Sequence, residues 1–304
     1  MELRTRINGV EHWTRKGDVK LFLWQKSPPS GAAPKGTILL VHGSSMASQP
    51  TFDLQVPGRP DSSAMDWFAA RGFDTWCMDH EGYGRSDKSR PINCDIPNGA
   101  DDLAAGTKYI LEKTGAKKLL MYGISSGALR AALFAQRHPE RVARLALDAF
   151  VWTGEGSPTL AERTKRLPEF RKMKRRPIDR AFMHSVFTRD HPGCAEDKVV
   201  EAFADAVLAL DDSVPTGTYV DMCSKLPVVD PQKIASPTIV MRGEFDGIAG
   251  FDDLVEFFKR LPNPDKQFAV MPGISHASFQ QINYRTVYHI LHAFFTQPEP
   301  LYRG

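Results

Sequence analysis

Short, continuous apolar runs recur along this 304-residue chain, and each ends in glycine or a polar turn. Runs of this length without polar alternation are typical of parallel strands buried on both faces. The runs are 37–41, 73–78, 118–123, 141–147, 238–242 and 267–271, and helix-like segments lie at 64–71, 100–114, 126–137, 251–260 and 279–295. This alternation predicts a mostly parallel sheet with helices on both faces.

Two parts of the chain have a different pattern. Residues 1–26 predict an antiparallel hairpin that turns at Lys16, Gly17 and Asp18, and 27–33 form a loop rich in proline, glycine and serine. Between Trp152 and Ile234 the strand pattern stops, and helical, charged sequence is interrupted by prolines. We interpret 152–234 as an inserted helical lid on a core formed by 1–151 and 235–304. A long crossover without a functional role is the alternative.

The composition is that of an ordinary soluble protein, with 42% hydrophobic and 25% charged residues. The net charge of +3 comes with no basic stripe interleaved with aromatic residues, so we expect no nucleic-acid partner. Residues 1–20 contain no apolar signal-peptide core, and no apolar run is long enough to span a bilayer. The four cysteines form no C-x-x-C pair, so we expect no metal site, no stable membrane association and a cytoplasmic location. The sequence does not decide between a monomer and a homo-oligomer.

A Gly-x-Ser-x-Gly sequence occurs where an apolar run meets a helix-like segment. It comprises Gly123, Ile124, Ser125, Ser126 and Gly127. A strained turn at such a junction exposes the serine hydroxyl, and the flanking glycines let backbone segments approach closely. The backbone N–H of Ser126 would be free at the helix start, where it can stabilise developing negative charge. Ser125 is therefore the predicted nucleophile.

A serine nucleophile needs a base, and the base needs an acceptor that fixes its tautomer. His276 and Asp246 each follow a predicted strand, where open α/β sheets place their reactive groups. We predict His276 as the general base and Asp246 as its acid. Asp148, which follows an earlier predicted strand, is the main alternative acid. Less favourably placed carboxylates are Glu244, Asp252 and Asp253.

Five segments, in this order, resemble those of the α/β-hydrolase superfamily, and the resemblance covers nearly the whole chain. They are His42-Gly43-Ser44-Ser45, Asp79-His80-Glu81-Gly82-Tyr83-Gly84-Arg85-Ser86, the Ser125 segment, Arg242-Gly243-Glu244-Phe245-Asp246 and Pro272-Gly273-Ile274-Ser275-His276-Ala277. The resemblance implies the α/β-hydrolase fold, a mostly parallel eight-stranded sheet flanked by helices with an inserted helical lid. It also implies that the backbone N–H of Ser44 joins that of Ser126 in an oxyanion hole, and that no cofactor or metal is needed. His42 is expected to brace the Ser44 loop.

Such residues would cleave a small or medium carboxylic ester through an acyl-enzyme intermediate. Members of the superfamily with the same residues also cleave lactones, amides and carbon–carbon bonds, and the motifs do not separate these reactions. Serine at position 125 sets aside the haloalkane dehalogenases and epoxide hydrolases, which use aspartate there, and the dienelactone hydrolases, which use cysteine. An alternative of another class is a non-catalytic small-molecule binding protein on the same fold.

Two features of the predicted lid bear on the substrate. Ser45 is expected to line a substrate pocket. The other residues expected there are apolar or aromatic: Trp152, Phe170, Met173, Phe182, Met183, Phe187 and Met222. The stretch from Arg163 to Arg180 contains nine lysines and arginines and only two carboxylates. Such a run is typical of a solvated helix face, and contact with an anionic substrate or a membrane surface is the alternative.

Overall fold

Buried apolar strands form the framework of this protein. The computed structural model of the chain describes residues 7–29 and 33–301, so the loop predicted at 27–33 lies in part outside the described residues. Every residue of three central strands is buried, which explains their continuous apolar sequences. The strands are β1 (Val10–Lys16), β2 (Val19–Lys26), β3 (Thr37–Val41), β4 (Asp74–Met78), β5 (Leu119–Ile124), β6 (Val142–Asp148), β7 (Arg175–Pro177), β8 (Ser213–Pro215), β9 (Thr238–Gly243) and β10 (Lys266–Met271).

Among the described residues, eight strands form one sheet in the order β1-β2-β4-β3-β5-β6-β9-β10. β1 and β2 form the predicted hairpin, β2 pairs antiparallel with β4, and the remaining pairs are parallel. The predicted mostly parallel, eight-stranded α/β-hydrolase sheet is therefore confirmed. From β3 the chain moves to β4 on one side and then to β5 on the other. The crevice that this reversal opens lies at the carboxyl ends of β3 and β5.

Helices cover both faces of the sheet, and two apolar clusters, one on each face, form the core. The helices of the described residues are α1 (Ser48–Phe52), α2 (Ala64–Ala69), α3 (Ile96–Thr114), α4 (Ser126–Arg137), α5 (Pro158–Lys165), α6 (Leu167–Lys172), α7 (Arg180–Thr188), α8 (Asp197–Leu208), α9 (Gly217–Ser224), α10 (Phe251–Arg260) and α11 (Tyr284–Phe295). None of them combines the length and apolar character that a bilayer crossing requires.

Two predicted helix starts differ from the structure. α3 begins at Ile96, before the expected 100, because the Asp95 side chain caps it by accepting from the Asn98 amide and a proline occupies its first turn. α11 begins only at Tyr284, because 278–280 form a separate 3-10 turn and Gln281 is extended. In both cases a local cap or turn, rather than the apolar pattern, sets the boundary.

The segment that we interpret as an insertion, residues 152–234, carries α5 to α9 and the small β7-β8 pair between β6 and β9. Its α7 and α8 share an apolar cluster with Leu54, Val56 and Tyr83, which belong to loops after β3 and β4. Leu160 of α5 and Phe170 of α6 pack instead into the core cluster that contains α3 and α4. The insertion is thus joined to the sheet domain through two separate apolar contacts, beside the carboxyl ends of the strands.

Candidate active site

The turn between β5 and α4 holds Ser125 in a strained conformation. Its φ of 58° lies in the left-handed region, which a residue with a side chain rarely adopts. A Cβ on Gly123 would lie 2.6 Å from the carbonyl oxygen of Gly127, and a Cβ on Gly127 would overlap the carbonyl oxygen of Val41. Only glycine fits at both positions, so the Gly-x-Ser-x-Gly pattern has a steric cause.

Three side chains from three different loops form one hydrogen-bonded chain. The Nε2 atom of His276 lies 2.9 Å from the Oγ of Ser125, and its Nδ1 lies 3.0 Å from Oδ1 of Asp246. Asp246 follows β9 and His276 follows β10, so the loop of His276 must cross the end of β9 to reach Ser125. Gly243 makes this crossing feasible, because a Cβ there would lie 2.5 Å from the carbonyl oxygen of Ile274.

The Asp246 carboxyl is held in its ionised form. Burial alone would raise its pKa, but the charge and hydrogen bond of His276 and the backbone amides of Ile248 and Ala249 lower the pKa to about 2. Those amides donate to Oδ1 at 2.8 and 3.2 Å. An ionised acceptor beside Nδ1 favours the tautomer whose Nε2 is free to take a proton from Ser125.

Asp148, the alternative acid, lies in a different environment. Its Oδ2 accepts from the hydroxyl of Tyr122 at 2.6 Å, and burial raises its pKa to about 6. Its backbone oxygen accepts from the Ser125 amide at 2.9 Å. The carboxylate that contacts the His276 ring is therefore that of Asp246, and Asp148 lies behind the turn that carries Ser125.

The two residues predicted to donate to an oxyanion lie side by side. The Ser44 hydroxyl donates to the Ser126 hydroxyl at 2.6 Å, so the loop after β3 contacts the start of α4. Ser126 is the first residue of α4, where a backbone N–H has no acceptor within the helix. His42 braces the loop, because its Nδ1 contacts the Gly43 carbonyl at 2.8 Å and its Nε2 accepts from the His80 amide at 3.1 Å.

Comparison with known proteins identifies the family of this chain. The sequence profile of the family described as serine aminopeptidase, S33, matches residues 32–282. The chain belongs to this family of α/β-hydrolases. It is 26% identical over 261 residues to 2-hydroxy-6-oxononadienedioate/2-hydroxy-6-oxononatrienedioate hydrolase 2 of Pseudomonas putida, an alignment that covers 82% of this chain and 84% of that protein.

Solved structures show the same fold. The S33-family chain superposes on a soluble variant of monoglyceride lipase from Saccharomyces cerevisiae with a TM-score of 0.70 and 16% identity, covering 98% of this chain and 97% of that one. It superposes on a thermophilic esterase from Thermogutta terrifontis with a TM-score of 0.66 and 20% identity, covering 95% and 100% of the two chains. At these identities the similarity establishes the fold alone.

A cavity adjoins Ser125 and His276 in this S33-family hydrolase. Two of the predicted pocket residues, Ser45 and Phe182, line it. The sequence did not point to its other apolar lining residues, which are Met46, Ile124, Val186, Phe203 and Ala277. Most of the wall is therefore apolar, as small-molecule sites usually are.

The other predicted pocket residues lie elsewhere, which corrects that part of the prediction. Trp152 is buried against Phe257, with its indole N–H donating to the carbonyl oxygen of Val229 at 3.1 Å. Phe187 packs on Phe203 inside the insertion, with Met183 in the same cluster. Met222 is in the core and lines a separate depression. Phe170 packs on Tyr219, and the backbone carbonyl of Met173 accepts from the Thr216 hydroxyl. The apolar character of these side chains alone did not show whether they pack inside the protein or line the cavity.

The basic stretch divides into two groups. Lys165, Arg166 and Arg171 are exposed, as expected for a solvated helix face. Arg163, however, lines the cavity, and so does Arg189, which lies just beyond the stretch. From the sequence, Arg163 was one of nine cations in the basic stretch and was not predicted to line the pocket. No local sequence pattern indicated a role for Arg189.

Asp190 is a further carboxylate close to the three central side chains. An oxygen of Asp190, an oxygen of Asp246 and a ring nitrogen of His276 all lie within 4.8 Å of one another, a spacing that could hold a metal ion. The atoms already have other partners, because His276 Nδ1 contacts Asp246 while Asp190 accepts from Arg189 and Thr159. Asp246 is therefore the partner of His276, and Asp190 is the partner of Arg189.

Proposed function

We propose that this S33-family hydrolase is a serine hydrolase that cleaves a small or medium carboxylic ester through an acyl-enzyme intermediate. The observation that carries the proposal is the chain of hydrogen bonds from Ser125 through His276 to Asp246, whose serine end borders the cavity. A hydroxyl aligned with an imidazole and a buried carboxylate is the arrangement that nucleophilic acyl transfer requires.

The proposed reaction has two halves. The Ser125 oxygen attacks the ester carbonyl carbon while its proton passes to His276 Nε2, and Asp246 stabilises the imidazolium. The backbone N–H groups of Ser44 and Ser126 would donate to the oxyanion. When the tetrahedral species collapses, the carbon–oxygen bond to the alcohol breaks and the alcohol takes the proton from His276. Water then repeats these steps on the acyl-enzyme and releases the acid and the free Ser125 hydroxyl.

A second candidate function is hydrolysis of a carbon–carbon bond on the same residues. It is favoured by the Pseudomonas putida relative, whose name denotes a hydrolase of two oxo-dioates. Lactones and amides are further substrates that the same acyl chemistry would accept. The alternative of another class is a binding protein without turnover, which would not need an aligned base.

We also propose a cytoplasmic location and a small-molecule partner. The four cysteines are unpaired thiols, which agrees with a reducing compartment. The cavity has the largely apolar wall of a small-molecule site. The proposed mechanism uses neither a metal nor an organic cofactor, and it involves no nucleic acid or membrane.

Covalent labelling tests the proposal. A fluorophosphonate probe should label the wild-type chain, and Ser125→Ala should lose both labelling and ester turnover, the latter by at least about 10³-fold. Its melting temperature should stay close to that of the wild type. Ser224→Ala is the matched control, because this hydroxyl donates to a backbone carbonyl of α9 away from the cavity, and it should label normally. Labelling that survives in Ser125→Ala would remove that residue from the mechanism, and a wild-type chain that neither labels nor turns over would favour a binding protein.

A further inference from the structure

Tyr219 of α9 is buried between two guanidinium groups. The guanidinium carbons of Arg163 and Arg176 each lie 4.3 Å from the centre of its ring, and the phenol is 4% exposed. Tyr219 and Arg163 line the cavity that Ser125 and His276 border. Residues from α5, β7 and α9 thus meet on one wall of the proposed ester site.

This wall has more positive charge than negative. Within the described part of the chain, neither Arg163 nor Arg176 pairs with a carboxylate. Arg176 is 6% exposed, its Nη2 donates to the Ser45 hydroxyl at 2.7 Å, and its Nε meets no acceptor among the described residues. Arg189, the third cation, is neutralised by Asp190 through contacts of 2.7 and 2.8 Å. Arg163 is half-buried and Arg176 is buried. Burying a cation without a counter-charge is costly unless an anion joins it.

We propose that this wall is a carboxylate subsite, in which Arg163 and the Ser45 and Tyr219 hydroxyls hold a free carboxylate of the substrate. The inference rests on the proposed ester hydrolysis and names its substrate class, an ester that carries a carboxylate at its far end. A guanidinium matches the two oxygens of a carboxylate with two parallel N–H donors. The apolar remainder of the cavity wall fits the carbon chain between that carboxylate and the ester.

The ionisation of Tyr219 gives this subsite a pH dependence. Burial alone would raise the pKa of the Tyr219 phenol, but the charges of Arg163 and Arg176, a hydrogen bond with Ser45 and the charge of Arg189 lower the pKa to about 7. The other elements against Tyr219 contribute the uncharged ring of Phe170. Above pH 7 the phenolate would compensate the arginines itself and repel a carboxylate. Affinity for the carboxylate should therefore fall as the pH rises from about 6 to 8, and Tyr219→Phe should remove that fall.

The experiment compares charged and neutral substrates of the same length. The charged substrates are the 4-nitrophenyl monoesters of adipic and suberic acids, and the neutral ones are the methyl esters of the same compounds. With the wild-type enzyme, we expect a KM for the charged esters at least tenfold below that for the neutral esters at pH 6.5. Arg163→Gln should raise the KM of the charged esters by about ten- to a hundredfold and change that of the neutral esters less than about threefold.

Arg166→Gln is the matched control, because it removes the same charge from the exposed end of the same helix. It should leave both substrate series unchanged. An equal effect of Arg163→Gln on charged and neutral esters, or an effect of Arg166→Gln as large as that of Arg163→Gln, would overturn the carboxylate subsite. Thermal melts of both variants establish that each remains folded.

A binding measurement separates this inference from the proposed reaction. Suberate and adipate should raise the melting temperature of Ser125→Ala, and they should not do so when Arg163→Gln is added to it. Inorganic phosphate should have no such effect, and stabilisation by phosphate alone would overturn the assignment to a carboxylate. If dicarboxylates bind through Arg163 but no ester is cleaved, the proposed esterase function fails while the subsite stands. If esters are cleaved but dicarboxylates do not bind, the subsite fails while the function stands.

Discussion

At the scale of single residues, two buried aspartates close to one histidine have pKa values shifted in opposite directions. Asp246 accepts from two backbone amides and His276, which together outweigh burial and lower its pKa to about 2. Asp148 has a phenol as its donor, and burial raises its pKa to about 6. The number and charge of the donors, rather than the depth of burial, thus separate the acid of the proposed triad from its neighbour.

Substitution by asparagine should separate the two aspartates. Asp246→Asn presents an amide to Nδ1 and can select the wrong imidazole tautomer, so kcat for a 4-nitrophenyl ester should fall by about 10³- to 10⁴-fold. Asp148→Asn keeps an acceptor for the Tyr122 hydroxyl and should change kcat by less than about tenfold. Steady-state kinetics on both variants checks this. A severe loss in Asp148→Asn together with a mild one in Asp246→Asn would reverse the assignment.

Ser125, His276 and Asp246 could be predicted from the sequence because each follows a recognisable strand end and is of a residue type that the proposed chemistry needs. Tyr219 could not, since the position of this residue depends on three elements of the insertion meeting in space. The prediction that Trp152, Met183 and Phe187 line the pocket was wrong, because an apolar side chain can face the core or the cavity with the same local sequence pattern.

At the scale of elements, one aspartate holds the start of the insertion. Asp253 in the first turn of α10 accepts from the backbone amides of Trp152 and Thr153 at 3.0 Å and from that of Gly154 at 3.3 Å. The chain leaves the sheet here after β6, in an irregular segment whose amides have no strand partner. The buried Asp253 carboxylate takes the place of that partner.

Removal of this carboxylate should loosen the junction between the sheet and the insertion. Asp253→Ala leaves buried amides without acceptors and should lower the free energy of unfolding by about 2–4 kcal/mol. Asp252→Ala is the matched control, because Asp252 lies in the same first turn but is exposed. It should cost less than about 1 kcal/mol. Urea unfolding measures the free energy of unfolding of both variants, and limited proteolysis should show new cleavage near 152–157 only in Asp253→Ala. Equal losses of unfolding free energy in the two variants would assign the effect to the helix dipole instead.

The elements themselves were largely predictable from the sequence. β3 and α4 have the predicted bounds, because an uninterrupted apolar run and an alanine-rich helix leave little ambiguity. The short elements inside the insertion were not predicted individually. β7 and β8 have three residues each, too few for a periodic signal, and they pair with each other rather than with the main sheet.

At the scale of the whole molecule, the sheet topology brings the proposed reactive groups together at a cost in stability. Ser44, Ser125, Asp246 and His276 follow the carboxyl ends of β3, β5, β9 and β10, at one edge of the sheet. The same arrangement buries Asp148 at the end of β6, among groups that do not neutralise it. A carboxyl whose pKa is raised on folding stabilises the folded state only while it is protonated.

The sign of this effect predicts how Asp148→Asn changes stability with pH. The pKa of Asp148 is about 6 in the folded protein against an ordinary value of 3.8, so the folded state holds a proton that the unfolded state has lost between these two pH values. The contribution of Asp148 is therefore fully present below about pH 4 and is lost as the pH rises through 6. The asparagine side chain carries no charge at any pH and escapes that loss, so Asp148→Asn should be more stable than wild type by roughly 1–3 kcal/mol above pH 6. The difference should close between pH 6 and 4. Paired urea unfolding curves at pH 4, 5, 6 and 8 measure it, and a difference that stays constant across this range would mean that Asp148 does not carry the raised pKa.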